Sequence, residues 1–179
     1  MAETSPLAGW PGLSATGLQL AEIPFVDQVN LRLSPKGPAA DVVGLELGTP
    51  LPVEPNTVAR AGDRSVLWLG PDEWLVVGGC DESRLRAAVG TEPASVVDVS
   101  AYRTTIRVAG AHSRDLLAHG CSLDLHPSRF PVGRCAQTML AHTPVILLPL
   151  PAGDYRVLVP ASFAHHLAGW LLDAAVEYR

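Results

Sequence analysis

The sequence predicts an α+β fold in which antiparallel sheets pack against a few helices. Two observations favour this fold class. Short apolar runs, alternating or continuous, are separated by Gly, Pro, Asp and Asn, a pattern typical of strands that are joined by turns. Helical spacing is found in a few segments only, and these do not alternate regularly with the strands as they would in a doubly wound α/β sheet.

The first half of the chain predicts a strand, a helix, a meander and a second helix. Residues 28–33 alternate strictly between polar and apolar side chains, as a half-buried strand does. Residues 70–73 are turn formers that join two strands of an antiparallel meander. Gly48 and Gly90 are suited to end the helices. The predicted strands are 28–33, 57–60, 65–69 and 74–77, and the predicted helices are 38–47 and 83–89.

The second half repeats this arrangement. We expect Gly120 to end a helix from the left-handed position that follows the last helical turn. The final helix is expected to start at Ser162 as its N-cap, and its apolar stripe runs from Phe163 to Ala174. The predicted strands are 104–108, 135–141, 145–150 and 155–159, and the other predicted helix is 112–119.

Composition limits the class of protein. The chain has 179 residues, of which 47% are hydrophobic and 17% charged, so it can bury a core without disulfides. The net charge is −5 and Lys36 is the only lysine, which leaves no basic stripe for nucleic acid. Prolines bound the longest apolar run, 145–150, and the N-terminus lacks a secretory signal, so we expect a cytoplasmic protein without a membrane partner. Residues 1–20 are expected to form a flexible or partner-ordered tail, and 21–179 a single domain.

The sequence supports no catalytic, cofactor-binding or metal-binding residue. Glycine-rich nucleotide loops, the nucleophile elbow and the metalloprotease helix motif are all missing. A zinc site built on Cys121, Asp124 and His126 has no evident fourth ligand. As a nucleophile, Cys121 follows the C-terminus of a predicted helix, where the helix dipole opposes a thiolate. His165 and His166 are helix neighbours that point about 100° apart and cannot share one ion.

Several motifs together resemble one family. Residues 98–100 read Asp-Val-Ser, residues 120–125 read Gly-Cys-Ser-Leu-Asp-Leu, and residues 133–138, which follow Phe130, read Gly-Arg-Cys-Ala-Gln-Thr. This combination resembles the gamma subunits of heterotetrameric sarcosine oxidases, which share the folate-binding domain fold of aminomethyltransferases. The likeness extends over nearly the whole chain.

The resemblance implies an accessory subunit. It implies alpha, beta and delta subunits as partners, and a complex that oxidatively demethylates sarcosine. FAD, FMN, NAD, tetrahydrofolate and zinc are then expected in other parts of the complex and not on this chain. Aminomethyltransferases use an Asp after the strand that corresponds to 135–141, whereas this chain has Ala-His-Thr-Pro at 141–144 and no acidic residue between Asp124 and Asp154. His142 could replace it as a base.

The polar residues of the segment from 121 to 134 suggest a subunit interface instead, because aromatic and guanidinium groups are enriched at interface hot spots. Three alternatives stay open. The segment could merely close the domain, with Asp124 capping the loop or pairing with Arg129 or Arg134. The chain could be a folate or small-molecule binding module, or a free-standing aminomethyltransferase-like enzyme. The candidate interface residues are Cys121, Asp124, His126, Arg129, Phe130 and Arg134.

Overall fold

The computed structural model describes residues 4–178, which form two compact units. One unit comprises the segment up to Phe25 together with the segment from Ala101 onward, and the other is Val26–Ser100. Each contains one antiparallel sheet and two α-helices, so the predicted α+β class is confirmed. None of the helices within residues 4–178 has the length and apolar character needed to cross a membrane.

The helices and strands within this range are numbered in chain order. The strands are β1 (Leu13–Ala15), β2 (Leu18–Ile23), β3 (Gln28–Leu33), β4 (Val58–Ala61), β5 (Arg64–Gly70), β6 (Glu73–Val77), β7 (Ala94–Asp98), β8 (Arg103–Ala109), β9 (Ala136–Leu140), β10 (Thr143–Pro149) and β11 (Tyr155–Pro160). The helices are α1 (Pro38–Leu47), α2 (Glu82–Val89), α3 (Ser113–Ala118) and α4 (Ala164–Ala174).

The five-stranded unit, Val26–Ser100, has the strand order β4-β5-β6-β3-β7. Its core contains residues from β3, β5, β6 and β7 together with apolar residues of α1 and α2. Trp74 is fully buried, and its indole Nε1 donates to the carbonyl oxygen of Pro52 at 2.8 Å. The buried indole is therefore hydrogen-bonded, which removes the desolvation cost of its N–H group.

The six-stranded unit has the strand order β1-β2-β8-β11-β10-β9. Residues on alternate positions of these strands form a core with the buried sides of α3 and α4, including Leu116, Leu117, Leu167 and Leu171. All four of these leucines are completely buried. Burial of a leucine side chain contributes about 1.5–3 kcal/mol to the free energy of folding. Packing of Leu116 and Leu117 into this core is therefore the main source of stability for the short helix α3.

The Asp-Val-Ser sequence at 98–100 closes one end of the five-stranded sheet. The Asp98 carboxylate accepts hydrogen bonds from the backbone N–H and the hydroxyl of Ser100, at 2.8 and 2.6 Å. The Ser100 hydroxyl in turn accepts from the backbone N–H of Gln28, at 2.9 Å. The bonds from Ser100, the side-chain one first, hold the pKa of Asp98 below its ordinary value. The motif therefore ties the end of β7 to the start of β3.

The N-terminal segment differs from the expected tail. β1 and the first half of β2 lie before residue 21, and β2 pairs with β8 in the middle of the chain. Leu7, Leu18 and Leu20 are at most 2% exposed. The physical reason is long-range pairing, which brings a segment without clear periodicity into the sheet. The sequence predicts one domain over 21–179, and within the described residues the chain forms two compact units, with Val26–Ser100 as the second.

Two predicted helix caps are wrong, although the helices themselves are confirmed. α3 ends at Ala118, its C-cap residue His119 has a right-handed conformation, and Gly120 is not in the left-handed region. A Cβ atom on Gly120 would lie 2.7 Å from the ring of Trp170 and 3.1 Å from the Ala141 nitrogen, so this glycine is required by close packing. A short 3₁₀ turn that includes Ser162 precedes α4, and the cap of α4 is Phe163 without a side-chain hydrogen bond.

Substitution of Gly120 tests this packing. Gly120→Ala should destabilise the purified chain by about 1–3 kcal/mol, because the added methyl group overpacks the contact with Trp170. Gly169→Ala is the matched control. A Cβ atom on Gly169, in α4, would meet nothing within 4 Å outside the backbone of its own helix, so alanine should stabilise this helix by about 0.5–1 kcal/mol. Urea denaturation measures both effects, and a Gly120→Ala variant as stable as Gly169→Ala would contradict the packing argument.

The Asp98 hydrogen bonds predict a pH dependence. Asp98→Ala should lower the free energy of unfolding by about 1 kcal/mol near neutral pH. Because the folded pKa of Asp98 is depressed, the carboxylate stabilises the fold above its unfolded pKa and loses this contribution as pH falls through the folded pKa. The stability difference between wild type and Asp98→Ala should therefore shrink below about pH 4. A difference that stays constant from neutral pH to about pH 3 would argue against this role.

Candidate functional site

The candidate interface residues lie between the end of α3 and the start of β9, and the structure divides them into two groups. Cys121 and Phe130 are 8% and 6% exposed and belong to the core of the six-stranded unit. Their side chains stabilise this unit from the inside, which differs from the surface position expected of them. The surface of the segment is formed by the other members, Asp124, His126, Arg129 and Arg134, which are exposed or half-buried.

The exposed group is organised by a hydrogen-bonded turn, which we call the 124–129 turn. The Asp124 carboxylate accepts from the backbone N–H of His126 at 2.9 Å. The backbone N–H groups of Arg129 and Phe130 both donate to the His126 carbonyl oxygen at 2.8 Å. The His126 ring nitrogen Nδ1 lies 2.7 Å from the Ser128 hydroxyl. Asp124 thus caps the loop, which was one of the alternatives that the sequence left open.

Buried residues fix both ends of the 124–129 turn. Leu125 is 3% exposed, and its carbonyl oxygen accepts a hydrogen bond from the Tyr155 hydroxyl at 3.3 Å. Burial raises the pKa of this phenol, so it stays protonated and remains a donor at neutral pH. On the other side, Phe130 enters the same core. The turn is therefore a firmly held projection from the core, which presents an imidazole and a guanidinium at the surface.

The three thiols are largely shielded from solvent. No disulfide joins the three cysteines, all of which lie within residues 4–178; Cys121 and Cys135 are buried, and Cys80 is half-buried. Burial, with a smaller contribution from Asp27, raises the pKa of Cys80 to about 11, so its thiol is protonated at neutral pH. Within residues 4–178, no three His, Cys, Asp or Glu side chains are placed to hold a metal ion.

The turn between β9 and β10 corresponds to the position at which the family resemblance predicts the carboxylate of aminomethyltransferases. Ala141 and His142 form a two-residue hairpin connection with φ values of 49° and 61°, a conformation that non-glycine residues rarely adopt. The Gly120 carbonyl oxygen accepts from the Ala141 N–H at 3.0 Å. The His142 side chain is exposed. Asp154, the next acidic residue, is paired with Arg107 at 2.6 Å and is not available to this turn.

Sequence reasoning missed a second polar site at Glu22. Leu18, Leu20 and Glu22 occupy alternate positions of β2, and both leucines are buried, so Glu22 is at the next core-facing position. Its carboxylate oxygen Oε1 accepts from the hydroxyl of Ser5 and from that of Thr104, the latter at 2.6 Å. The signal in the sequence is the alternation Leu18, Leu20, Glu22, in which a carboxylate takes the third core-facing position. This segment overlaps the end of residues 1–20, which are expected to form a tail.

Comparison with known proteins gives consistent results for sequence and structure. Residues 35–177 match the model of the sarcosine oxidase, gamma subunit family. The sarcosine oxidase subunit gamma of Arthrobacter sp. is 37% identical over 171 residues, which cover 93% of this chain and 84% of the relative. The subunit of the same name from Corynebacterium sp. strain P-1 has the same identity and coverage.

Two solved structures extend the comparison. A chain of the heterotetrameric sarcosine oxidase from Corynebacterium sp. U-96, in complex with pyrrole 2-carboxylate, has a TM-score of 0.91 and 32% identity, covering 98% of this chain and 96% of its own. Aminomethyltransferase T of the glycine cleavage system from Bartonella henselae has a TM-score of 0.66 and 13% identity, covering 88% of this chain and 46% of its own. The second likeness concerns the fold alone and confirms the expected aminomethyltransferase-like architecture.

The family match includes most of the chain, and the named relatives exceed 30% identity over nearly all of it. The motifs at 98–100, 120–125 and 133–138 lead to the same family. The chain therefore belongs to the sarcosine oxidase gamma subunit family.

Proposed function

We propose that the chain is the accessory, non-catalytic gamma subunit of a heterotetrameric sarcosine oxidase. In this role it supports the oxidative demethylation of sarcosine to glycine by the assembled complex. The observation that carries the proposal is the similarity to named gamma subunits over 93% of the chain. The TM-score of 0.91 to a chain of the heterotetramer adds to it, since the whole architecture is shared and not one motif.

The turn at Ala141 and His142 supports a role without catalysis. Methylene transfer of the aminomethyltransferase kind needs a carboxylate that handles a proton beside the folate nitrogen. This turn has none, and Asp154 is engaged by Arg107 and by the backbone N–H of Gly110, at 2.6 and 3.1 Å. His142 is exposed, so it lacks the enclosed surroundings in which a general base is normally positioned.

The proposed partners are the alpha, beta and delta subunits of the oxidase, in the cytoplasm. We assign FAD, FMN, NAD, tetrahydrofolate and zinc to those subunits. The thiols of this chain are buried or half-buried, and the acidic side chain of the 124–129 turn caps a loop. The surface of the 124–129 turn is therefore suited to protein contacts.

The 124–129 turn, with Arg134, is our candidate contact surface. Association is opposed by the entropy lost when flexible groups become ordered. A turn fixed by backbone and side-chain hydrogen bonds has already lost most of that freedom. The Arg129 guanidinium can pair with a carboxylate of a partner in bidentate geometry. A pre-ordered turn with exposed arginine therefore favours specific docking.

Arg129→Ala tests this surface. We expect the variant to keep its free energy of unfolding within about 0.5 kcal/mol, because the side chain is exposed. We expect its affinity for the co-expressed partner subunits to fall by about tenfold or more, the effect of truncating an interface hot spot. Affinity purification of tagged variants measures how much of each partner is retained.

Two variants make the result specific. Arg60→Ala removes another exposed arginine, in β4, and should retain the partners as wild type does. Phe130→Ala should destabilise the isolated chain by about 3–5 kcal/mol, because it empties a core position. If Arg129→Ala retains the partners fully, the turn is not the contact surface.

Titration with tetrahydrofolate tests the assignment of cofactors and the alternative of a folate-binding module. We expect no saturable heat when tetrahydrofolate is added to the purified chain at concentrations up to about 1 mM, a limit that corresponds to a binding free energy weaker than about −4 kcal/mol. Saturable binding that His142→Ala abolishes would favour the folate-binding alternative.

A further inference from the structure

A cavity of about 520 Å³ lies at the N-terminal side of the six-stranded unit. Its walls are the segment that precedes β1 and the end of β2. The lining is mostly apolar, and among the lining residues that the structure describes Glu22 has the only ionisable side chain. These residues are Thr4, Ser5, Leu7, Ala8, Gly9, Trp10, Pro11, Gly12, Leu20, Ala21, Glu22, Pro24 and Phe25.

The charge of Glu22 has no counter-charge within the part of the chain that the structure describes. Both hydroxyl donors, from Ser5 and Thr104, approach the same oxygen, Oε1. No Lys, Arg or His of residues 4–178 forms an ion pair with this carboxylate. A half-buried carboxylate is costly to desolvate unless a cation or further donors compensate it. The second oxygen, Oε2, takes part in neither of these two bonds, and Glu22 lines the cavity, so the carboxylate has the capacity to receive a cationic group.

Two aromatic rings share the cavity with this carboxylate. Trp10 is half-buried, and Phe25 is 59% exposed. Phe25 also has a φ of 54°, a conformation that is unfavourable for a bulky residue by about 1–2 kcal/mol. Such strain persists where the surrounding structure enforces it, often at binding sites. The faces of aromatic rings attract cations, most strongly when the site excludes water.

We infer that this cavity binds an organic cation, namely an alkylammonium or guanidinium group. The positive group pairs with the Glu22 carboxylate and contacts the faces of the Trp10 and Phe25 rings, and its apolar body packs against the rest of the lining. The chemistry is the same whether the cation is a free amine or the side chain of a Lys or Arg from a bound protein. The inference rests on the cavity itself and does not depend on the proposed subunit role.

The first arm of the test titrates the ¹⁵N-labelled full chain with butylammonium chloride and, as a neutral probe of matched shape, with butanol. The indole N–H signal of Trp10, assigned with Trp10→Phe, is the reporter. We expect saturable shifts with butylammonium and none with butanol. Glu22→Gln keeps an acceptor oxygen for Ser5 and Thr104 but removes the charge, and it should weaken binding about 10- to 100-fold.

Two further variants separate binding from folding. Phe25→Gly should weaken butylammonium binding about 2- to 30-fold, the range of a cation–π contact, without lowering the denaturation midpoint, because glycine accepts the positive φ. Glu92→Gln removes an exposed carboxylate that does not line the cavity and should bind the probe as wild type does.

The second arm identifies a protein source of the cation. Wild type, Glu22→Gln and Glu92→Gln are tagged and co-purified with the other oxidase subunits, with and without butylammonium. If a basic side chain of a partner occupies the cavity, Glu22→Gln and added butylammonium both reduce retention, whereas Glu92→Gln does not. If the other subunits do not bind wild type at all, which would contradict the proposed function, the first arm decides alone.

An effect of Glu22→Gln in either arm, without an effect of Glu92→Gln, supports the cation site. Equal responses to butylammonium and butanol, or probe binding and subunit retention that are unchanged in Glu22→Gln, would overturn it.

Discussion

The pairing of β2 with β8 is the constraint on which the six-stranded unit depends. It joins Gln19–Ile23 to Thr105–Ala109. A segment near the N-terminus therefore forms the backbone hydrogen bonds along one edge of β8, a strand from the middle of the chain. Without β2, the backbone groups of β8 on that side would be unpaired at a sheet edge. The same pairing buries Leu18 and Leu20 and brings Glu22 within hydrogen-bonding distance of Thr104. The core of the unit and the cavity beside Glu22 therefore have one origin.

Local patterns in the sequence predict the elements whose periodicity is strong. The alternation at 28–33 and the helix at 38–47 match β3 and α1 at both ends, because alternation and a terminal glycine are local signals. β2 and β7 escape such prediction, since each pairs with a strand far along the chain, β8 and β3 respectively. β1 is a three-residue edge strand that pairs with β2. Gly120 reads locally as a helix cap, but the reason for glycine is the ring of Trp170, fifty residues later. Packing between distant residues has no local signature.

The candidate site was predictable in outline only. The motifs identified the family and the segment 121–134, and Asp124 caps its loop through a bond that sequence reasoning could name. The division of that segment into buried Cys121 and Phe130 and an exposed 124–129 turn required the tertiary structure, because aromatic and thiol groups suit a core and an interface equally. The fixed turn and the sequence Ala-His at 141–142 are the two local features on which our proposal of an accessory role draws.

The central claim is that this chain functions as a subunit of a sarcosine oxidase. Co-expression with the alpha, beta and delta subunits, followed by size-exclusion chromatography of the untagged mixture, tests it most directly. Our account predicts that the chain co-elutes with the larger subunits in equal molar amount, and that the purified chain alone does not turn over sarcosine. Elution of the chain by itself at the position of a monomer, with an active complex formed in its absence, would contradict the account.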